Sequence, residues 1–120
     1  MTSRNLARWG GIDPATKQDK SALVTTATSR TLALTDAWNY LRPGTTGAIT
    51  LTVPTNAVAA FDVGTEITVR ALGNVTLAAA SGVTLNAPSG GTLGMTARMT
   101  ATLKKVATNE WDVVGQTVAA

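Results

Sequence analysis

The residues best placed by type and spacing to do chemistry are two carboxylate pairs, Asp62 with Glu66 and Glu110 with Asp112. Paired carboxylates cleave glycosidic bonds when they face each other across a cleft. Glu110 and Asp112 stand two apart on a predicted strand, so they share one face while Trp111 points the other way. With Lys104 or Lys105 opposite on the neighbouring strand, they read as solvated cross-strand charges. Asp62-Val-Gly64 reads as a turn in which Asp62 bonds its own backbone. The chain contains no His and no Cys, which closes thiolate and imidazole metal sites and any disulfide framework. The acidic residues also lack calcium-loop spacing. A Ser or Thr nucleophile would need a lysine base, and neither Lys104 nor Lys105 lies in a Ser-x-x-Lys pattern. The run Gly90-Gly-Thr-Leu-Gly94 lacks the lysine of a phosphate loop. The expectation is a chain with no catalytic residue, no metal and no cofactor, and hence not an enzyme.

Binding residues are a better prospect. Residues 1–30 carry Arg4, Arg8, Lys17, Lys20 and Arg30 against Asp13 and Asp19, while positions 31–120 balance to zero, so the formal excess of +3 sits in the first quarter. A basic arm on a neutral body suits an acidic partner surface. Its charge density is low for nucleic acid, so a protein surface is the expected partner. Trp9 sits in that arm beside Arg8, and Trp and Arg are favoured anchors at interfaces. Trp38 and Tyr40 are predicted on one face of an early strand, serving as core, subunit contact or a carbohydrate stack. Trp111 is predicted in the core or at a subunit contact.

The elements that would position these residues are strands. Ala48-Ile-Thr-Leu-Thr-Val53, Thr65-Glu-Ile-Thr-Val-Arg70 and Asn74-Val-Thr-Leu-Ala78 alternate apolar with non-apolar residues, the period of a half-buried sheet. Strands are predicted near 31–35, 37–42, 48–53, 65–71, 74–79, 82–86, 97–107 and 110–115. Pro43-Gly44 and Pro54 end strands, and Thr55–Phe61 forms a connecting turn that tucks Phe61 inward. Gly73-Asn74 and Ser81-Gly82 fall where tight hairpin turns are expected, and Pro88–Gly91 marks a longer loop. Val75-Thr-Leu77 and Val83-Thr-Leu85 echo one another eight residues apart, as solenoid rungs or as two sides of a hairpin; two copies favour the hairpin. Asp13-Pro14 could open a short helix, but the first 30 residues read best as an extended arm. The polar, basic start is not that of a signal peptide, and no run reaches the ~18 apolar residues of a membrane span. Much of the apolar content is Ala and Val, which makes a thin core and favours a homo-oligomer.

The succession Thr31-Leu-Ala-Leu-Thr-Asp-Ala37, Ile49-Thr-Leu-Thr-Val-Pro54, Phe61-Asp-Val-Gly-Thr-Glu-Ile-Thr-Val69, Ser81-Gly-Val-Thr-Leu-Asn86 and Ala101–Gly115 resembles a β-module of tailed-bacteriophage virion proteins. The closing hairpin of that pattern is carried by Leu103, Lys105, Trp111 and Gly115, with one lysine more than the usual form. The resemblance covers about residues 31–116. Such modules occur in capsid decoration, head-fibre and tail-fibre proteins, often as trimers. It implies an all-β, single antiparallel sandwich or barrel-like domain of jelly-roll type over 31–120, with residues 1–30 as its arm. The expected role is that of a capsid decoration (cement) protein: a homotrimer that binds the major capsid protein or another virion protein on the capsid surface, assembled in the host cytoplasm. Arg4, Arg8, Trp9, Lys17 and Lys20 would make the attachment, without nucleic acid or membrane. The short chain is expected to lack a fibre shaft. The alternative is a small tail-fibre or head-fibre module that binds host-surface glycan.

Overall fold

The computed structural model describes residues 23–26, 28–44 and 47–120. Alternation shapes the body as expected: Ile49–Val53 and Glu66–Arg70 each form a strand in which every second residue is buried. Ten strands are described: β1 (Leu23–Thr26), β2 (Arg30–Thr31), β3 (Tyr40–Pro43), β4 (Ile49–Val53), β5 (Glu66–Arg70), β6 (Val75–Ala79), β7 (Thr84–Asn86), β8 (Gly94–Met95), β9 (Thr100–Ala107) and β10 (Glu110–Gly115). They make a six-stranded sheet in the order β1-β3-β5-β9-β10-β7 and a four-stranded sheet in the order β2-β4-β6-β8.

The antiparallel expectation fails over the first two thirds of the body. β1–β3, β3–β5, β2–β4, β4–β6 and β7–β10 are parallel ladders. Only β5–β9, β9–β10 and β6–β8 are antiparallel. From β1 to β6 each strand lies in the opposite sheet from the one before it, so the chain coils and odd and even strands stack on their own kind. Gly73-Asn74 and Ser81-Gly82 are therefore corners between sheets rather than hairpin turns. Val75–Leu77 and Val83–Leu85 echo each other as successive sides of a coil. Among the described strands, only the Thr108–Asn109 turn joins a hairpin, β9–β10.

The corners explain two glycines. Gly44 has φ +94°, and a Cβ there would meet the Gly73 amide nitrogen at 2.9 Å. A Cβ on Gly73 would in turn meet the Gly44 carbonyl oxygen at 2.7 Å. Successive corners thus stack backbone on backbone, where a side chain does not fit.

The core lies between the sheets in cross-strand rows. Ile49, Val75 and Met95 form one row and Leu51 with Leu77 another, all buried. Leu41, Val69 and Ala101 face them from the larger sheet, as do Ile67, Leu103 and Val113. Such β-branched and aliphatic rows suit the buried, pleated face of a sheet. The body begins earlier than the composition change suggests: Leu23–Thr26 pairs with β3, and Arg30 with Leu51. Residues 31–36 hold a short strand followed by a 3-10 turn at Leu34–Asp36 in place of one continuous strand.

Candidate functional site

The predicted attachment residues Arg4, Arg8, Trp9, Lys17 and Lys20 lie outside the described residues. Within the body, the residues of the closing motif meet the Pro54–Thr65 loop in one latch. Lys105 continues the inward register of Ala101 and Leu103 on β9 and is only 2% exposed. Its ammonium donates to the Phe61 carbonyl oxygen at 2.6 Å and to Asn56 Oδ1 at 2.7 Å. The Lys105 backbone exchanges bonds with the same loop: its N–H donates to the Thr65 carbonyl at 3.0 Å, and its carbonyl accepts from Gly64 at 2.8 Å. Phe61 sets its ring edge-on to Trp111, with centroids 5.3 Å apart at 83°, a favoured aromatic geometry. The Asn56 N–H donates to Asn109 Oδ1 in the hairpin turn. Gly115 ends the motif at φ +130°, where a Cβ would lie 2.6 Å from the Thr100 carbonyl oxygen. Phe61 is tucked inward and Trp111 lies in the core, as predicted.

The carboxylates have structural partners. Glu66 accepts from Lys104 at 2.9 Å across β5–β9. Glu110 and Asp112 share a face of β10, and both accept from Asn86 Nδ2 at 2.8 Å. They therefore sit beside one another on a sheet surface and not across a cleft. The Asp62 carbonyl oxygen accepts from the Thr65 hydroxyl and N–H, which closes the Asp62–Gly64 turn through the backbone.

The sequence reading missed a partly buried ion pair. Asp36 is buried and takes a two-pronged bond from the Arg30 guanidinium, at 2.7 and 2.8 Å, plus the Ala33 N–H at 2.8 Å. Burial alone would raise the Asp36 carboxyl, but the Arg30 hydrogen bonds, the Ala33 N–H and the guanidinium charge outweigh it and hold its pKa below the ordinary value. The pair lines a shallow cleft with Val24, Thr28 and Asn39. The available signal was a lone Asp within the mostly apolar stretch Leu32–Ala37.

Trp38 does not share a strand face with Tyr40. It precedes β3 in the left-handed region, at φ 66°, with its N–H donating to the Glu66 carbonyl at 2.8 Å. It is 48% exposed. A bulky residue in that conformation carries about 1–2 kcal/mol of strain. The Pro88–Gly91 loop is tied to the C-terminal residues: Gly91 bridges Ala119, and the Ala120 N–H donates to the Gly90 carbonyl. Among the described residues, no group of three His, Cys, Asp or Glu could hold a metal ion, and no helix is long and apolar enough to cross a membrane.

Comparison with protein-family models, curated proteins and solved structures gives no match.

Proposed function

We propose that this chain is a non-enzymatic structural part of a tailed-bacteriophage virion, a capsid decoration (cement) protein that acts as a homotrimer. The observation that carries the reading is the latch. Five residues on which the phage-module resemblance rests, Phe61, Gly64, Thr65, Lys105 and Trp111, lock the loop to the closing hairpin, and Gly115 packs against β9 within that hairpin. A motif of scattered Gly, Thr and Lys thereby gains a joint physical reason. Two of the body's ion pairs, Arg30–Asp36 and Lys104–Glu66, are internal to the fold. Attachment then falls to the basic arm, and binding only to assembled capsid would stabilise the shell by mass action.

The test is co-sedimentation with heads stripped of the protein, using the full chain carrying Arg4→Glu, Arg8→Glu and Trp9→Ala. Deleting residues 1–30 is unsuitable because it removes β1 and its pairing with β3. Loss of head binding with an unchanged far-UV spectrum is the expected result; binding equal to wild type would sink the arm's role. One observation favours a second reading. An exposed, strained tryptophan such as Trp38 suits a stacking surface for a host glycan. Selective binding on a glycan array, lost in Trp38→Ala, would move the assignment there.

A further inference from the structure

The outer face of the six-stranded sheet has an order that folding alone does not use. Residues alternating with the buried set point away from the core, and the ladder registers arrange them in three rows across the strands. The middle row runs Leu23, Tyr40, Thr68, Thr102 and Val114. Its ends are apolar and open, Leu23 at 64% and Val114 at 60% exposed. One row toward the strand ends lie Arg42 and Arg70, with Arg98 in the turn leading into β9. On the opposite side lie Glu66, Lys104 and Asp112, with Glu110 beyond them. The face is thus basic on one side of an apolar and Thr-rich midline and net acidic on the other, where Glu66, Asp112 and Glu110 outnumber Lys104, the partner of Glu66 at 2.9 Å.

From this order we infer that the outer face of the six-stranded sheet binds a second copy of the chain about a two-fold axis. The axis lies in the interface and runs across the strands along the middle row. Such a rotation sets the two sheets face to face with opposed strand directions. It brings Leu23, Tyr40, Thr68 and Val114 onto their own counterparts. It also carries the side of each copy that holds Arg42 and Arg70 over the side of the other that holds Glu66, Lys104 and Asp112. Arg70 and Glu66 flank Thr68 on the same strand, so Arg70 comes to rest opposite the partner subunit's Glu66. A two-fold contact must be self-complementary, and charge segregated about a midline supplies that complementarity. Five strand spacings of ~4.8 Å and five residues of ~3.3 Å give a face of about 24 by 16 Å. That is roughly 400 Å² of projected surface per copy, about half that of a standard stable interface, so the contact is weak, reversible and dilution-sensitive. It goes beyond the capsid reading and does not depend on it, because it is argued from the sheet face alone.

Sedimentation velocity of the full chain across a dilution series tests the contact. The expected result is an even-numbered species, a dimer, or a hexamer if a three-fold contact coexists. Arg70→Glu and Glu66→Arg, each alone, place like charges together and weaken the even-numbered species by about tenfold or more. Mixing these two variants restores it, because every contact between unlike chains then joins opposite charges. Thr68→Arg, which sets two guanidinium groups on the axis, also abolishes it and leaves the Glu66–Lys104 pair intact. A wild-type chain that is only monomeric or only trimeric overturns the inference. So does a mixture that fails to recover the mass.

Discussion

Replacing Lys105 by Met removes an ammonium from the core and keeps most of the stem that fills its place. The Phe61 carbonyl then loses the 2.6 Å bond it accepts within the interior, and a buried acceptor left unpaired costs about 1–3 kcal/mol. Asn56 Oδ1 loses its 2.7 Å bond as well. Asn56 is only half-buried, so water recovers part of that loss, which adds up to about 1 kcal/mol. Relief from burying a charge works the other way, since apolar replacements of buried ions are often tolerated. The net expectation is a destabilisation of about 2–3 kcal/mol. Urea unfolding followed by circular dichroism should show the midpoint falling by about 1–2 M with an unchanged slope. The neighbouring lysine is the control. Lys104 meets Glu66 at the surface, with side chains 45% and 44% exposed, and Lys104→Met should cost less than about 1 kcal/mol. If Lys105→Met is no more damaging than Lys104→Met, the latch does not hold the hairpin to the loop and the reasoning fails.

Two further substitutions probe other parts of the fold. Gly115→Ala combines a φ of +130° with a Cβ at 2.6 Å from the Thr100 carbonyl oxygen, whereas Gly82→Ala, at φ +90°, meets open space. Thermal melts should therefore place Gly115→Ala well below Gly82→Ala, which carries only the strain of about 1 kcal/mol for a left-handed alanine; equal melting temperatures would contradict the close approach. Asp36 has a folded pKa lowered below its ordinary value. Its contribution to stability is full above the unfolded value of about 3.9 and is lost as pH falls below that toward the folded value. Asp36→Asn should be less stable than wild type at neutral pH, with the gap closing on acidification below about pH 4. A gap constant across that range would mean the ion pair contributes nothing.

The strands that alternate cleanly, such as Ile49–Val53 and Glu66–Arg70, were legible because the buried set repeats every second residue whichever way neighbours run. That same property hid the pairing direction: period two is common to parallel and antiparallel ladders. The coil was hidden for a second reason. Stacked partners lie 17 residues apart between Leu23 and Tyr40 but 28 apart between Tyr40 and Thr68, so corner lengths differ and no fixed repeat appears. Lys105 was legible in principle, since it occupies the inward register after Ala101 and Leu103; a lysine there demanded a partner, and the loop that supplies one is 44 residues away. The Arg30–Asp36 pair spans the end of one strand and a 3-10 turn, and no strand or helix spacing brings residues six apart together. Trp38 was misplaced because its left-handed backbone depends on a hydrogen bond to Glu66, which no local pattern announces.

The order in which the strands join has a consequence for synthesis. β5 gains its neighbour on one side only when residues 100–107 arrive, and β7 is partnered solely by β10 among the described strands. A ribosome-bound chain that has emerged through Asn86 therefore holds a coil with its growing side open and its seventh strand without a place. The final hairpin lies between β5 and β7, so the larger sheet cannot be complete until that hairpin has been made. A premature stop before Glu110 strands β7 and removes Trp111 from Phe61, so truncated products should expose unpaired edges and be cleared or aggregate. Completion of this fold is thereby coupled to synthesis of the β9–β10 hairpin, the last of the described strands.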